Sequence, residues 1–443
     1  MANRKINIIL ITVISLFLMV PFVFLFTGVN KKIPLKGDVV LNNNPGFSFK
    51  GWTEGSFQEK FEKYINDNIG FRPWYVRVRN QVAFSLYGRL NAAYVIWGKE
   101  DYLYEINYIR AYNGDDFVGE DTISYKTARI KLLQDSLQQS GKTLIVCFAP
   151  GKGSFYAEYF PDEYRKPKTD KTNYHLYKKH FDATGVNYID FNRWFLQMKD
   201  TTRYILYPRY GIHWSHYGML LATDSLISYI ENLRNEDLPD LQIKNFKLTK
   251  KLNHSDYDIA DGLNVVFKLP VDEMCYPEIS WEDSSGKQKP RVVVISDSFY
   301  WSMYGTGVSK NSFSEGGFWY YNKQVYPESF NGEFTVDQMN HREAINKTDV
   351  FVIMATEATL PGFPWGFTEN SLRAFEPGYT ENFENTVMAE VRYQEELQRH
   401  ISVIRNDENW MKVIKKKAEE NGISVDSMLV LDAKWVMENS EKQ

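Results

Sequence analysis

Residues 6–27 form an unbroken run of uncharged, mostly apolar side chains, and this run constrains the chain more than any other feature. A helix rises about 1.5 Å per residue, so a run of this length crosses a hydrocarbon core of roughly 30 Å. Arg4 and Lys5 precede it, no small-x-small cleavage site closes it, and it is longer than the apolar stretch of a removable leader. It therefore reads as an uncleaved signal anchor. Pro21 inside it bends a membrane helix without forbidding it. Lys31 and Lys32 on the far side nearly balance Arg4 and Lys5, and the body is assigned to the outer, extracytoplasmic side, which is the periplasm in a Gram-negative cell.

The net charge of −4 offers no concentration of basic residues of the kind a nucleic acid requires. Two cysteines, Cys147 and Cys275, give neither a disulfide framework nor a metal spacing, and the seven histidines contain no paired-ligand motif. No metal and no cofactor is expected.

After the anchor, residues 31–48 are rich in Asn, Gly and Pro and read as linker. Helical periodicity begins near Ser56, with Phe57, Phe61, Tyr64 and Ile65 on one face, and resumes over 73–87 with Trp74, Val78, Val82 and Leu86 at i+4 steps. Short β-rich runs follow at 94–97, 144–149, 188–190, 292–295 and 350–354, alternating with amphipathic stretches such as 124–140 and 217–233. That alternation predicts an α/β fold, a parallel sheet covered by helices on both faces. Residues 241–289 break the pattern and read as a β-rich or irregular insertion. Val387, Val391, Leu397, Ile401 and Ile404 recur at helical spacing near the C-terminus, with Asp407 as N-cap and Gly422 as stop. The expected division is an anchor over 1–30, a linker over 31–55, the α/β domain over 56–378 and a helical region over 379–443.

The run Val292-Val293-Val294-Ile295-Ser296-Asp297-Ser298-Phe299 is a buried-strand pattern that ends on a serine. Side chains just past the carboxyl end of a parallel strand face the crevice where ligands bind, so Ser298 is the candidate nucleophile. Taken alone, Asp-Ser after a strand is also ordinary turn chemistry. A serine needs a base, and His213 in Gly211-Ile212-His213-Trp214 precedes an amphipathic helix. A helix-capping or packing role for that histidine is the alternative.

These residues carry a resemblance to the SGNH-like proteins of alginate and related exopolysaccharide O-acetylation, the AlgX/AlgJ type. Gly98-Lys99-Glu100-Asp101-Tyr102-Leu103-Tyr104 is similar to that family's entry to its first strand, and Pro150-Gly151-Lys152 to its Pro-x-Lys turn. Gly211-Ile212-His213-Trp214 resembles its Asp-x-His-Trp block and Ser296-Asp297-Ser298-Phe299 its Gly-Asp-Ser-Phe block. The resemblance spans residues 57–360 and implies an SGNH-hydrolase-like sheet flanked by helices. It also implies a serine acyl-enzyme, a polysaccharide substrate, and a multi-spanning membrane acyltransferase as source of the acetyl group.

The family's aspartate two positions before the histidine is Gly211 here. Asp190 and Glu357, each at the end of a predicted strand, are the candidates to orient His213. Lys152, Asp297, Tyr300, Trp301 and Trp214 are candidate substrate contacts, and the aromatics between 300 and 326 read either as a sugar platform or as packing. Three functions fit: an anchored exopolysaccharide O-acetyltransferase, a carbohydrate esterase or deacetylase, and a non-catalytic polysaccharide-binding or assembly protein on a degraded SGNH fold.

Overall fold

A computed structural model describes residues 2–24, 33–37, 41–314, 316–375, 397, 399–405 and 407–440. Ten strands occur among them. In chain order they are β1 (Val95–Trp97), β2 (Leu103–Glu105), β3 (Thr143–Phe148), β4 (Tyr188–Asp190), β5 (Leu241–Thr249), β6 (Met274–Trp281), β7 (Val292–Ser296), β8 (Gly317–Tyr320), β9 (Gln324–Tyr326) and β10 (Val350–Ala355).

The main sheet runs β4-β3-β10-β7-β8-β9. Its first five strands are parallel and β9 pairs antiparallel with β8, so the sheet is mixed rather than purely parallel. The run at 94–97, expected in this sheet, instead pairs with β2 in a separate hairpin. Five residues between strands are too few for the crossover that a parallel neighbour needs.

The period of two along the central strands divides the interior into two cores. Ile145 and Cys147 of β3, Val292 and Val294 of β7, and Val350, Val352 and Met354 of β10 face one core, which helix His216–Arg234 closes with Leu220, Leu226, Ile227 and Ile230. Leu144, Val146, Phe148, Val293, Ile295, Phe351, Ile353 and Ala355 face the other, closed by helices Glu120–Gln139 and Asn173–Thr184 through Ile130, Leu133, Leu137, Tyr177 and Phe181. A strand buried on both faces has no polar alternation, which is why β7 and β10 read as continuous apolar runs.

The stretch 241–289 is organised: β5 and β6 pair antiparallel, and short helix Asp258–Gly262 lies in the connection between them. Helix Ala2–Phe24 is long and apolar enough to cross a membrane, with mean hydropathy 1.8 over Arg4–Pro21. Ile6, Ile8, Ile9, Leu10, Ile11, Ile14 and Leu16 on it are exposed. In the C-terminal region, Asp407 caps helix Glu408–Asn421 by accepting from the Asn409 and Trp410 amides, and Gly422 ends it. Leu397, Ile401, Ile404, Ile414, Leu429 and Ala433 form a core of their own. Val387, Val391 and the expected start of this region at 379 lie outside the described residues.

Candidate active site

The sheet delivers Ser298 as its strand pattern dictates. β7 ends at Ser296, Asp297 turns inward, and Ser298 stands half-buried at the carboxyl edge, followed by helix Tyr300–Gly305. Asp297 fixes that turn. One of its oxygens accepts from the Phe299 amide at 3.0 Å, and the other accepts from the Thr356 amide, the Thr356 hydroxyl and the Thr359 hydroxyl at 2.9, 3.0 and 2.8 Å. Thr356 directly follows β10, so one buried carboxylate ties the ends of two neighbouring strands. Asp297 therefore serves as a brace, with its acceptor sites filled from within the protein.

His213 arrives from the opposite side. Buried Ser215 caps helix His216–Arg234 by accepting from the Gly218 amide, and Trp214 is pinned among Phe191, Phe195 and Phe299 with its indole N–H on Ser302 Oγ at 2.8 Å. With both neighbours held, the imidazole sits so that Nε2 lies 2.9 Å from Ser298 Oγ. Its Nδ1 lies 2.8 Å from Asp258 Oδ2. Asp258 Oδ1 accepts from the Ile212 and Ile259 amides, both at 2.8 Å, so the acid is bonded to the loop that carries the histidine as well as to the ring.

Neither expected acid occupies this place. Asp190 caps helix Phe191–Met198 through the Arg193 amide, accepts from the Tyr174 hydroxyl and pairs with Lys178 at 3.2 Å. Glu357 is buried on Ser154 Oγ, and burial pushes its carboxyl up to about 7. The acid on His213 comes instead from the 241–289 segment. Gly211 explains the exchange: a Cβ there would lie 2.2 Å from the Ser255 carbonyl oxygen and 2.9 Å from the Asp256 carbonyl carbon. The backbone that leads into Asp258 occupies the space that a side chain at 211 would need.

Lys152 is wholly buried rather than turned to a ligand. Its Nζ donates to the Arg209 and Gly211 carbonyls at 2.8 and 2.6 Å, bracing the histidine loop from below. Burial pulls its pKa down to about 7, against the opposing pull of Asp258 and Glu105. Two carbonyl acceptors match the two N–H groups of a neutral amine, so the brace survives loss of the charge.

The aromatic candidates also turn inward. Tyr300 is buried against Phe318 with its hydroxyl near Ser309 Oγ, and Trp301 packs edge-on to Phe318 and Tyr326. Residues 317–320 and 324–326 are strands β8 and β9, which extend the sheet. A cleft of roughly 260 Å³ opens over Ser298 and His213, and Glu105, Asn107, Asp258, Tyr321 and Thr359 contribute to its wall. Of the expected substrate contacts only Asp297 lines it; Lys152, Trp214, Tyr300 and Trp301 do not. Burial and the Asp258 charge raise the pKa of Glu105.

Residues 95–264 match a family model described as the SGNH hydrolase-like domain of acetyltransferase AlgX, a span that holds His213 and Asp258. Over this span the chain is similar to the AlgX-type SGNH domain. The O-acetyltransferase domain of Pseudomonas putida AlgJ is 14% identical with a TM-score of 0.42, over 66% of this chain and 98% of that one. Pseudomonas aeruginosa AlgX is 14% identical with a TM-score of 0.40, over 63% and 71%. Bacillus cereus PatB1 is 12% identical with a TM-score of 0.33, over 55% and 91%. No curated protein matches the sequence. The triad draws its members from the end of β7, the loop before helix His216–Arg234, and the β5–β6 connection, and Ser298 lies beyond the matched span. Among the described residues no cluster of metal-ligating side chains accompanies it.

Proposed function

We propose that the protein is a membrane-anchored extracytoplasmic O-acetyltransferase that modifies a polysaccharide through an acetyl-Ser298 intermediate. The observation that carries this reading is the unbroken Ser298–His213–Asp258 chain of hydrogen bonds, two of whose members lie in the span similar to the AlgX-type domain. In the first half-reaction His213 Nε2 takes the Ser298 proton as Oγ attacks the acetyl carbonyl, and the imidazolium returns that proton to the departing donor group. In the second, a sugar hydroxyl gives its proton to His213 and attacks the acetyl-serine, and the imidazolium passes that proton to Ser298 Oγ as the sugar ester forms and the serine departs. Asp258 holds the ring in the tautomer with Nδ1–H and offsets the charge it gains. The helix Ala2–Phe24 supports a tether beside a multi-spanning acetyl donor, where tethering raises effective concentration.

The wall of the cleft bears on the acceptor. Glu105, Asp258 and Asp297 lie along it, and no lysine or arginine does. Such a lining favours a neutral or amino-sugar glycan over a polyuronate. The test is acetylation of cell-surface glycan in cells whose own copy is deleted and replaced by wild type, Ser298→Ala or His213→Ala. The reading requires loss of glycan O-acetyl in both variants at unchanged protein levels. Full acetylation by both would assign the protein to a non-catalytic assembly role.

A further inference from the structure

Helices Ser56–Asn68 and Arg72–Tyr87 meet at Gly70 and Phe71, and the N-terminal helix ends against that turn. The Gly70 amide donates to the Pro21 carbonyl at 2.8 Å, and the Phe24 and Phe71 rings lie 4.7 Å apart. The approach is too close for a side chain: a Cβ at Gly70 would sit 2.4 Å from the Phe24 Cβ. Helix Arg72–Tyr87 therefore starts where the apolar helix stops.

Its two faces have different fates. Trp74, Val78, Val82 and Leu86, one per i+4 step, are 46, 50, 45 and 71% exposed. The rest of the helix holds the body: the buried Asn80 amide, opposite the stripe, donates to the Leu263 and Asn264 carbonyls, and Gln81 Oε1, at its edge, accepts from the Val266 and Phe267 amides. Trp52, Phe61 and Phe267 add further exposed rings. Between residues 31 and 90 the sequence carries ten basic and five acidic side chains, although the whole chain is net negative. An apolar, aromatic stripe inside a positively charged segment, continuous with a bilayer-length helix, fits the headgroup layer of an anionic membrane.

We propose that Trp74, Val78, Val82 and Leu86 lie in the interface of an anionic lipid bilayer and fix the orientation of the active-site domain on it. The proposal rests on reading residues 6–27 as a bilayer span. Because Asn80 and Gln81 grip residues 263–267, next to the helix that begins at Asp258, docking of this face also sets the triad's height above the membrane.

The experiment uses full-length protein in vesicles of phosphatidylethanolamine and phosphatidylglycerol. Val78→Cys or Leu86→Cys is labelled with a nitrobenzoxadiazole dye, with Tyr125→Cys, at a position 60% exposed on helix Glu120–Gln139, as reference. Cys147 and Cys275 are buried and do not compete for label. Blue-shifted emission and several-fold slower quenching by aqueous dithionite at 78 and 86 than at 125 is the expected result. Equal quenching at all three positions contradicts the proposal, as does shielding seen in native membranes but not in pure lipid, which would assign the stripe to a protein. Alkaline carbonate washing separates the two claims. Release of the protein overturns the anchor reading itself, whereas retention with fully quenched labels overturns only the interfacial placement.

Discussion

His213 Nδ1 lies 2.8 Å from Asp258 Oδ2, across 45 residues of sequence that hold helix His216–Arg234, strand β5 and a turn. The acid thus reaches the histidine from a separate connection rather than from the histidine's own loop. Replacing it by Asp258→Asn keeps the volume and permits the wrong ring tautomer. Acetyl transfer should fall by roughly 10³ to 10⁴-fold. Asp190→Asn should stay within a few-fold of wild type. Steady-state turnover of an acetyl ester by the three proteins checks this, and equal losses in both variants would remove the special role of Asp258.

Gly211→Asp places an acid where the family resemblance leads one to expect it. Here the Ser255 carbonyl occupies the site of the new Cβ. The variant should lose about 3 kcal/mol of stability or more through overpacking and an unpaired buried charge, and should gain no activity. Denaturant unfolding alongside an activity assay tests it; a stable variant with higher turnover would mean that the loop is free to move aside.

How far the sequence revealed this site depends on how local each signal is. Ser298 and His213 sit beside a buried strand and a helix start, so short patterns mark them. Asp258 belongs to a connection with no periodicity, and only the pairing of β5 with β6 carries it to the histidine. Gly211 was itself a usable signal, since a glycine in place of an acid can mark a position crowded by other backbone. Lys152 and Trp214 follow strand and loop boundaries that do not say whether a side chain points in or out, and both point in. The aromatic density at 317–326 concealed two strands because Phe318 and Trp319 both find apolar surfaces, one on each side of the sheet.

Glu357 supplies a pH test of the supporting frame. Its carboxyl is raised from 4.5 to about 7 by burial, so the folded state holds the proton more tightly than the unfolded chain. The stabilisation this gives is complete below the unfolded value and is lost as pH rises through about 7, with an upper bound of about 3 kcal/mol. Relative to Glu357→Gln, wild type should therefore lose stability between about pH 5 and about pH 8. Parallel unfolding curves at the two pH values check this, and a constant difference between the proteins would contradict it.

The lining of the cleft makes a prediction about acceptors. Neutral or amino-sugar oligosaccharides should take up acetyl groups faster than uronate oligomers of equal length. Glu105→Gln should narrow that preference, since it removes one negative charge from the wall. Initial rates with a panel of acceptors test both, and uronates preferred by wild type would refute the charge argument.

The most direct measurement follows the acetyl group itself. The protein is incubated with a radiolabelled acetyl ester, digested and mapped, with and without a chase of oligosaccharide. Label is expected on the peptide that contains Ser298, with its loss to the oligosaccharide on chasing and no label in Ser298→Ala. Label absent from that peptide while the oligosaccharide is still acetylated, or label lost to water at a rate the oligosaccharide does not change, would contradict transfer through acetyl-Ser298.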